Sequence, residues 1–173
     1  KDKDTKSIKV IDPATLDYRP KAKFNAPSVR ASRSLDNVAE RLKAVVFAKD
    51  PAGEIAWPAM SRVLVYAAHR IPEISDDILQ IDRAMRWGFG WELGPFEMWD
   101  ALGVEEVVSR LQQEKIKIPA IVQQLLGAGQ KSFYSWNGNQ RVYFDVEQKK
   151  YVPEINSEQN ISLLHLKSNK SKI

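Results

Sequence analysis

From Ser34 onward, the apolar residues recur at helical spacing. Leu35, Val38, Leu42, Val45 and Val46 share one face, and Ser34 stands where a helix N-cap belongs. The run Lys49-Asp50-Pro51-Ala52-Gly53 predicts the end of that helix, because proline and glycine both interrupt it. A second helix is expected from about Glu54 to Arg70. Its stripe of Ile55, Ala59, Met60, Val63, Leu64, Ala67 and Ala68 is broad enough for a central position in a bundle. Ser75-Asp76-Asp77 caps a third helix through Ile78, Ile81 and Met85, which Gly88 and Gly90 break. Gly94-Pro95 opens a fourth that Gly103 closes. Val104 to Lys115 and Pro119 to Leu126 read as two more.

The pattern changes after Gly127. RVYFDVEQKKYVPE alternates like two short strands around a turn, with Val142, Phe144, Tyr151 and Val152 as apolar members. Such a hairpin needs a surface to lie on. The expected fold class is therefore all-α: a small helical bundle with a short β-hairpin near the C-terminus. Residues 1–30 read as an extended linker laid along a neighbouring surface, 31–130 as the helical domain and 131–153 as the hairpin extension. Residues 154–173 read as a linker and the start of a following domain, ISLLHL being a strand that seeks a partner. A start at Lys1 rather than methionine is expected of an excised or processed chain.

Charge and composition narrow the function. The net charge of +4 is not spread over the chain: residues 1–23 carry +3, residues 154–173 carry +1, and residues 24–153 are neutral. A nucleic-acid footprint needs a basic face on the folded part, so no nucleic-acid partner is expected. With no cysteine and only two histidines, His69 and His165, neither a thiolate metal site nor a zinc site is expected. No run approaches the roughly 20 apolar residues of a membrane span, and KDKDTKSIKV has no signal-peptide core. A cytoplasmic location is expected.

The candidate chemistry concentrates between Trp87 and Trp99, where Trp87, Phe89, Trp91, Phe96 and Trp99 are interleaved with Gly88, Gly90 and Gly94. This predicts a kinked turn between helices, walled by rings that either fill the core or line a groove or interface. Outside it, His69 reads as a partner for a helix C-terminal end and Asp76-Asp77 as caps. Asp82 and Arg86, four apart, read as a surface ion pair, and Asp100 as a buried anchor for the glycine turn. Lys115, Lys117 and Lys131 read as scattered surface charges, and GAGQKS lacks phosphate-loop spacing.

The order Asp82, Gly88, Gly90, Gly94-Pro95-Phe96, Asp100 and Gly103 resembles the signature of the helical domain of 3-hydroxyacyl-CoA dehydrogenases. The flanks are similar to long multi-domain bacterial members, in which SVRASRSLDNVAERLKAVVF would open a second helical copy. Glu92-Leu93 departs from the common Pro-Met before Gly-Pro, which puts a conventional acyl-chain contact in doubt. The resemblance implies a helical, substrate-side domain of an NAD-dependent enzyme of fatty acid β-oxidation that oxidises L-3-hydroxyacyl-CoA to 3-oxoacyl-CoA. Its catalytic His-Glu pair and NAD loop would lie in a Rossmann domain outside this chain, because the glycines here have neither the spacing nor the βαβ setting of a dinucleotide loop. The implied partners are that Rossmann domain and a first helical domain, with acyl-CoA contacted indirectly. No catalytic, cofactor or metal residue is expected here. Phe89, Trp91, Gly94, Pro95, Phe96, Trp99 and Asp100 are the expected substrate-side or interface residues. The competing expectation is a free-standing helical module that binds a partner in an aromatic groove.

Overall fold

The computed structural model describes residues 7–22 and 24–154. The predicted strand ISLLHL and His165 lie outside the described residues.

Seven helices are present among them. Helix α1 (Pro27–Ser32) is followed by α2 (Val38–Val46), whose N-cap is Asn37. The Asn37 side chain accepts from the amides of Ala39 and Glu40, while Ser34 donates back to the Ala31 carbonyl and finishes α1 instead. The expected cap is thus displaced by three residues: both side chains suit the role, and the short helix before Ser34 decides between them. The run around Pro51 likewise starts a helix rather than only ending one. Asp50 caps α3 (Pro51–His69), and proline at the first helical position lacks only an amide that would have no partner there. The same carboxylate accepts from the backbone and hydroxyl of Ser28, so Asp50 ties the starts of α1 and α3 together. Those hydrogen bonds hold its pKa below the usual aspartate value, led by the Ser28 amide.

Helices α4 (Ile78–Phe89), α5 (Pro95–Leu102), α6 (Val104–Gln113) and α7 (Ala120–Gly127) follow the periodicity within a residue or two. Gly90, left-handed at φ +67°, ends α4; Gly103, at φ +93°, joins α5 to α6.

The all-α expectation is too simple in two places. Strands β3 (Tyr134–Asn137), β4 (Gln140–Asp145) and β5 (Lys150–Pro153) form a three-stranded antiparallel sheet, not a two-stranded hairpin. The extra strand was signalled by Gly138-Asn139, a two-residue hairpin turn between the paired Asn137 and Gln140, with Gly138 at φ +59°. Residues Lys9–Ile11 (β1) and Tyr18–Pro20 (β2), within the expected linker, pair as an antiparallel hairpin.

The sheet is part of the core. Phe133 and Phe144 are fully buried and join Trp57, Leu64, Ile78, Phe96, Trp99, Leu102, Leu111 and Leu125 in one cluster. Phe133 stands edge-on to Phe96 at 4.9 Å between centroids and to Trp99 at 6.3 Å. Each such buried ring contributes on the order of 2–3 kcal/mol from burial, with roughly 1 kcal/mol more per ring pair. On the far side, Trp57 donates its indole N–H to Glu114 at 2.6 Å, and Arg110 lies 4.2 Å above its ring.

Because helices and sheet share these rings, Phe133→Ala is expected to cost about 3–5 kcal/mol. The loss should appear as one cooperative transition, with helical circular dichroism and tryptophan fluorescence melting together. Separate transitions would show that the sheet folds independently.

Candidate functional site

The sequence motif folds around one carboxylate. Gly94 is the N-cap of α5 but has no side chain to cap with, so the exposed amides at the helix start need another acceptor. Asp82, 2% exposed on the adjoining α4, supplies it. One oxygen accepts from the Phe96 amide at 2.8 Å; the other accepts from the Glu97 amide at 3.0 Å and the Tyr134 hydroxyl at 2.8 Å. Glu97 reaches back to the Gly94 amide at 2.8 Å, completing the helix start. Glycine is required at 94 because a Cβ there would fall 2.3–2.5 Å from the Asp82 Cγ, Cβ and Cα.

The surface ion pair expected between Asp82 and Arg86 is therefore not formed. Asp82 turns inward under α5, while Arg86 pairs with Glu97 at 3.2 Å. Spacing of four places both residues on one side of a helix, but it does not say whether a neighbouring helix covers that side.

Asp100 is a structural anchor, though not of the glycine turn. One α5 turn beyond Glu97, its two oxygens accept from the amides of Phe133 at 2.6 Å and Tyr134 at 2.8 Å, so it secures the entry to the sheet. Arg141 on β4 completes the cluster. It binds Glu97 at 2.7 Å and Glu154 at 3.5 Å and stacks 4.1 Å above the Tyr134 ring, while Arg83 holds Glu154 at 3.0 Å. Tyr134, Arg141 and Glu154 were not legible as members, since only folding brings the sheet against α4 and α5.

Burial sets the electrostatics. Desolvation pushes both Asp82 and Asp100 up to about 7, against the opposing pull of their backbone hydrogen bonds. Tyr134 is raised first by burial and then by the Asp82 charge. For Arg141, desolvation acts downward but is outweighed by Glu97 and Glu154, so it stays cationic.

The aromatic segment divides in two. Gly94, Pro95, Phe96 and Trp99 are buried, and the Trp99 indole donates to the Leu64 carbonyl at 3.3 Å. Trp91 is half-buried, whereas Trp87 and Phe89 are 72% and 74% exposed. No single groove collects all five rings. Glu92 is exposed and meets Arg41 at 3.4 Å. His69 is exposed in the last turn of α3, and Lys131 pairs with Glu105 at the surface. A shallow depression of about 320 Å³ between α6 and the end of α7, lined by Val108, Gln112, Leu126 and Gln130 among others, lies apart from the motif. Among the described residues no group of acidic or histidine side chains is arranged to hold a metal, and no helix is long and apolar enough to cross a membrane.

The start of α5 does not fit the pyrophosphate of a dinucleotide either. A pyrophosphate is bound by free amides at a helix start after a strand. At α5 those amides are already taken by Asp82, and the element before the turn is a helix.

Comparison with known proteins gives the chain 37% identity over 171 residues to a Bacillus subtilis protein named "Probable 3-hydroxyacyl-CoA dehydrogenase". The match covers 99% of this chain and 21% of that protein, so the chain spans about a fifth of its relative's length. A Rickettsia felis protein, named for a fatty acid oxidation complex trifunctional enzyme, is 39% identical over 46 residues, 27% of this chain and 6% of its own length. No family model and no solved structure matches. The resemblance carried by Gly94-Pro95-Phe96 and its flanks thus holds across almost the whole chain.

Two outcomes follow from the cluster. Gly94→Ala is expected to destabilise the fold by about 2 kcal/mol or more, since the methyl group meets Asp82 backbone as well as side chain. Denaturant unfolding would show it; a change within about 0.5 kcal/mol would mean that α4 and α5 separate freely. The pH dependence has a defined sign. With folded pKa values raised from 3.8 to about 7, the contribution of Asp82 and Asp100 is fully present below the unfolded value and lost as pH rises through the folded one. The urea midpoint should therefore be higher near about pH 5 than near about pH 8, and Asp100→Asn should flatten that slope. The opposite slope would mean that both carboxylates are ionised at neutral pH.

Proposed function

We infer, from a chain homologous over nearly its whole length to one segment of a protein named as a 3-hydroxyacyl-CoA dehydrogenase, that it is a helical structural domain on the substrate side of such an enzyme. The observation that carries this reading is the 37% identity over 171 residues, which takes in the entire Asp82–Gly103 motif. The reaction of the whole enzyme would be oxidation of L-3-hydroxyacyl-CoA to 3-oxoacyl-CoA. The C3–H hydride passes to NAD⁺ and the hydroxyl proton to a base. Both the cofactor and that base would sit in a Rossmann domain elsewhere in the polypeptide, in the cytoplasm.

The division of labour in this domain supports the reading. Three carboxylates of the motif hold its helices to one another and to the sheet: Asp82 caps α5, Asp100 anchors the sheet entry, and Glu97 bridges Arg86 and Arg141, while Glu92 pairs with Arg41 at the surface. None is left over as a base. Gly94, Pro95, Phe96 and Trp99 are the packing residues that make the wall rigid. Phe89 and Trp91 at the end of α4 would face the Rossmann domain or the first helical domain, and acyl-CoA would be touched only through them.

Titration calorimetry tests this. The complete polypeptide is expected to bind NAD⁺ stoichiometrically and to reduce it with a 3-hydroxyacyl-CoA. The 173-residue segment alone should give no NAD⁺ heat. Stoichiometric NAD⁺ binding by the segment, or a complete polypeptide that neither binds nor reduces NAD⁺, would overturn the assignment.

A further inference from the structure

The tight turn between β3 and β4 carries chemistry of its own. Asn137, the last residue of β3, is paired with Gln140, the first of β4, so Gly138 and Asn139 alone connect the two strands. Residues 136–140 are all exposed, and a Cβ on Gly138 would meet nothing within 4 Å. A glycine amide carries no side chain to keep a neighbouring group away. A two-residue turn also leaves the amides of its central residues outside the ladder. The Asn137 carboxamide therefore stands beside an accessible backbone nitrogen with which it can close a five-membered ring.

We propose that Asn137-Gly138 is a site of spontaneous covalent modification, at which Asn137 loses its side-chain nitrogen and the sheet loosens. The Gly138 nitrogen attacks Cγ of Asn137. The new N–Cγ bond forms as the Cγ–Nδ2 bond breaks, and ammonia leaves with the Gly138 amide proton. Water then opens the cyclic imide. Addition at Cγ gives aspartate, whereas addition at the main-chain carbonyl carbon gives isoaspartate, whose backbone is one carbon longer. Nothing is oxidised or reduced, and water is the only co-reactant. Ring closure draws Asn137 out of the extended conformation, and at the end of β3 this opens only the Asn137–Gln140 pair.

Position decides among the described asparagines. Asn25 precedes the buried Ala26, and the Asn37 side chain is engaged by the Ala39 and Glu40 amides. Asn139 precedes Gln140, whose side chain and place in the ladder both hinder attack. Asn137 is exposed and precedes glycine. The product matters because a longer backbone disturbs the register that the turn sets. The next pair along is Trp136 with Arg141, and Arg141 holds Glu97, Glu154 and the Tyr134 ring.

To test this, the complete polypeptide is held in mildly alkaline buffer and digested. The 132–141 peptide is then sequenced by mass spectrometry, with isoaspartate read by a methyltransferase specific for it. Conversion at Asn137 is expected to be on the order of tenfold faster than at Asn139, because only the former is followed by glycine. Converted and unconverted protein, separated by charge, are compared by hydrogen exchange. In the isoaspartate form the β3 and β4 amides should exchange on the order of tenfold faster. Asn137→Asp, which has the charge without the longer backbone, should exchange like the parent. Equal rates at Asn137 and Asn139, or conversion only after unfolding in urea, would overturn the site. Unchanged exchange in the isoaspartate form, or equally fast exchange in Asn137→Asp, would overturn the loosening by a lengthened backbone.

Discussion

A helix that begins with glycine leaves its first amides without an acceptor, and α5 cannot be buried until something supplies one. Asp82 does so from the neighbouring helix, and much of the domain is arranged by that solution. Because the carboxylate must lie under the helix start, α4 and α5 approach until only glycine fits at position 94. That approach drives Phe96 and Trp99 into the core, where they meet Phe133. The third ligand of Asp82, the Tyr134 hydroxyl, comes from the sheet, and Asp100 fixes the same strand one helical turn further along. A buried carboxylate and a half-buried one thereby join helices and sheet into one body.

The same arrangement determines what the motif can do. A glycine-rich turn before a helix is often an anion site, because free amides and the helix dipole both attract negative charge. Here an internal carboxylate already occupies that position, so the turn acts as a joint. The surrounding arginines follow the same logic: Arg83, Arg86 and Arg141 neutralise Glu97 and Glu154, and of the three only Arg86 is exposed. Among the apolar residues exposed at the surface are Trp87 and Phe89 at one end of α4, and Ile11 and Tyr18 on the β1–β2 hairpin. Exposed apolar surfaces of this kind are those by which a domain takes its place against neighbours.

Much of this was legible in the sequence. The helical periodicity located six of the seven described helices, α2 to α7, within a few residues, and the Gly-Pro-Phe motif pointed to the relatives. The mislocated boundaries, at Ser34 and Pro51, involve residues that can either end one helix or begin the next, and neighbouring segments decide which. Strand β3 was missed although Gly138-Asn139 announces a turn, because the four residues before it are too few to show a convincing alternation.

The sequence alone determined where apolar faces lie, where helices must break and which protein family the chain resembles, because those properties depend on residue type and near spacing. Only the tertiary structure decided which way Asp82 and Asp100 point. Asp82 and Arg86 are equally compatible with a surface pair and with a buried cap, and the choice depends on Phe96, Glu97 and Tyr134, which lie 14 to 52 residues away. Hydrogen-bond geometry and desolvation operate on distances in space, which local spacing along the chain does not encode.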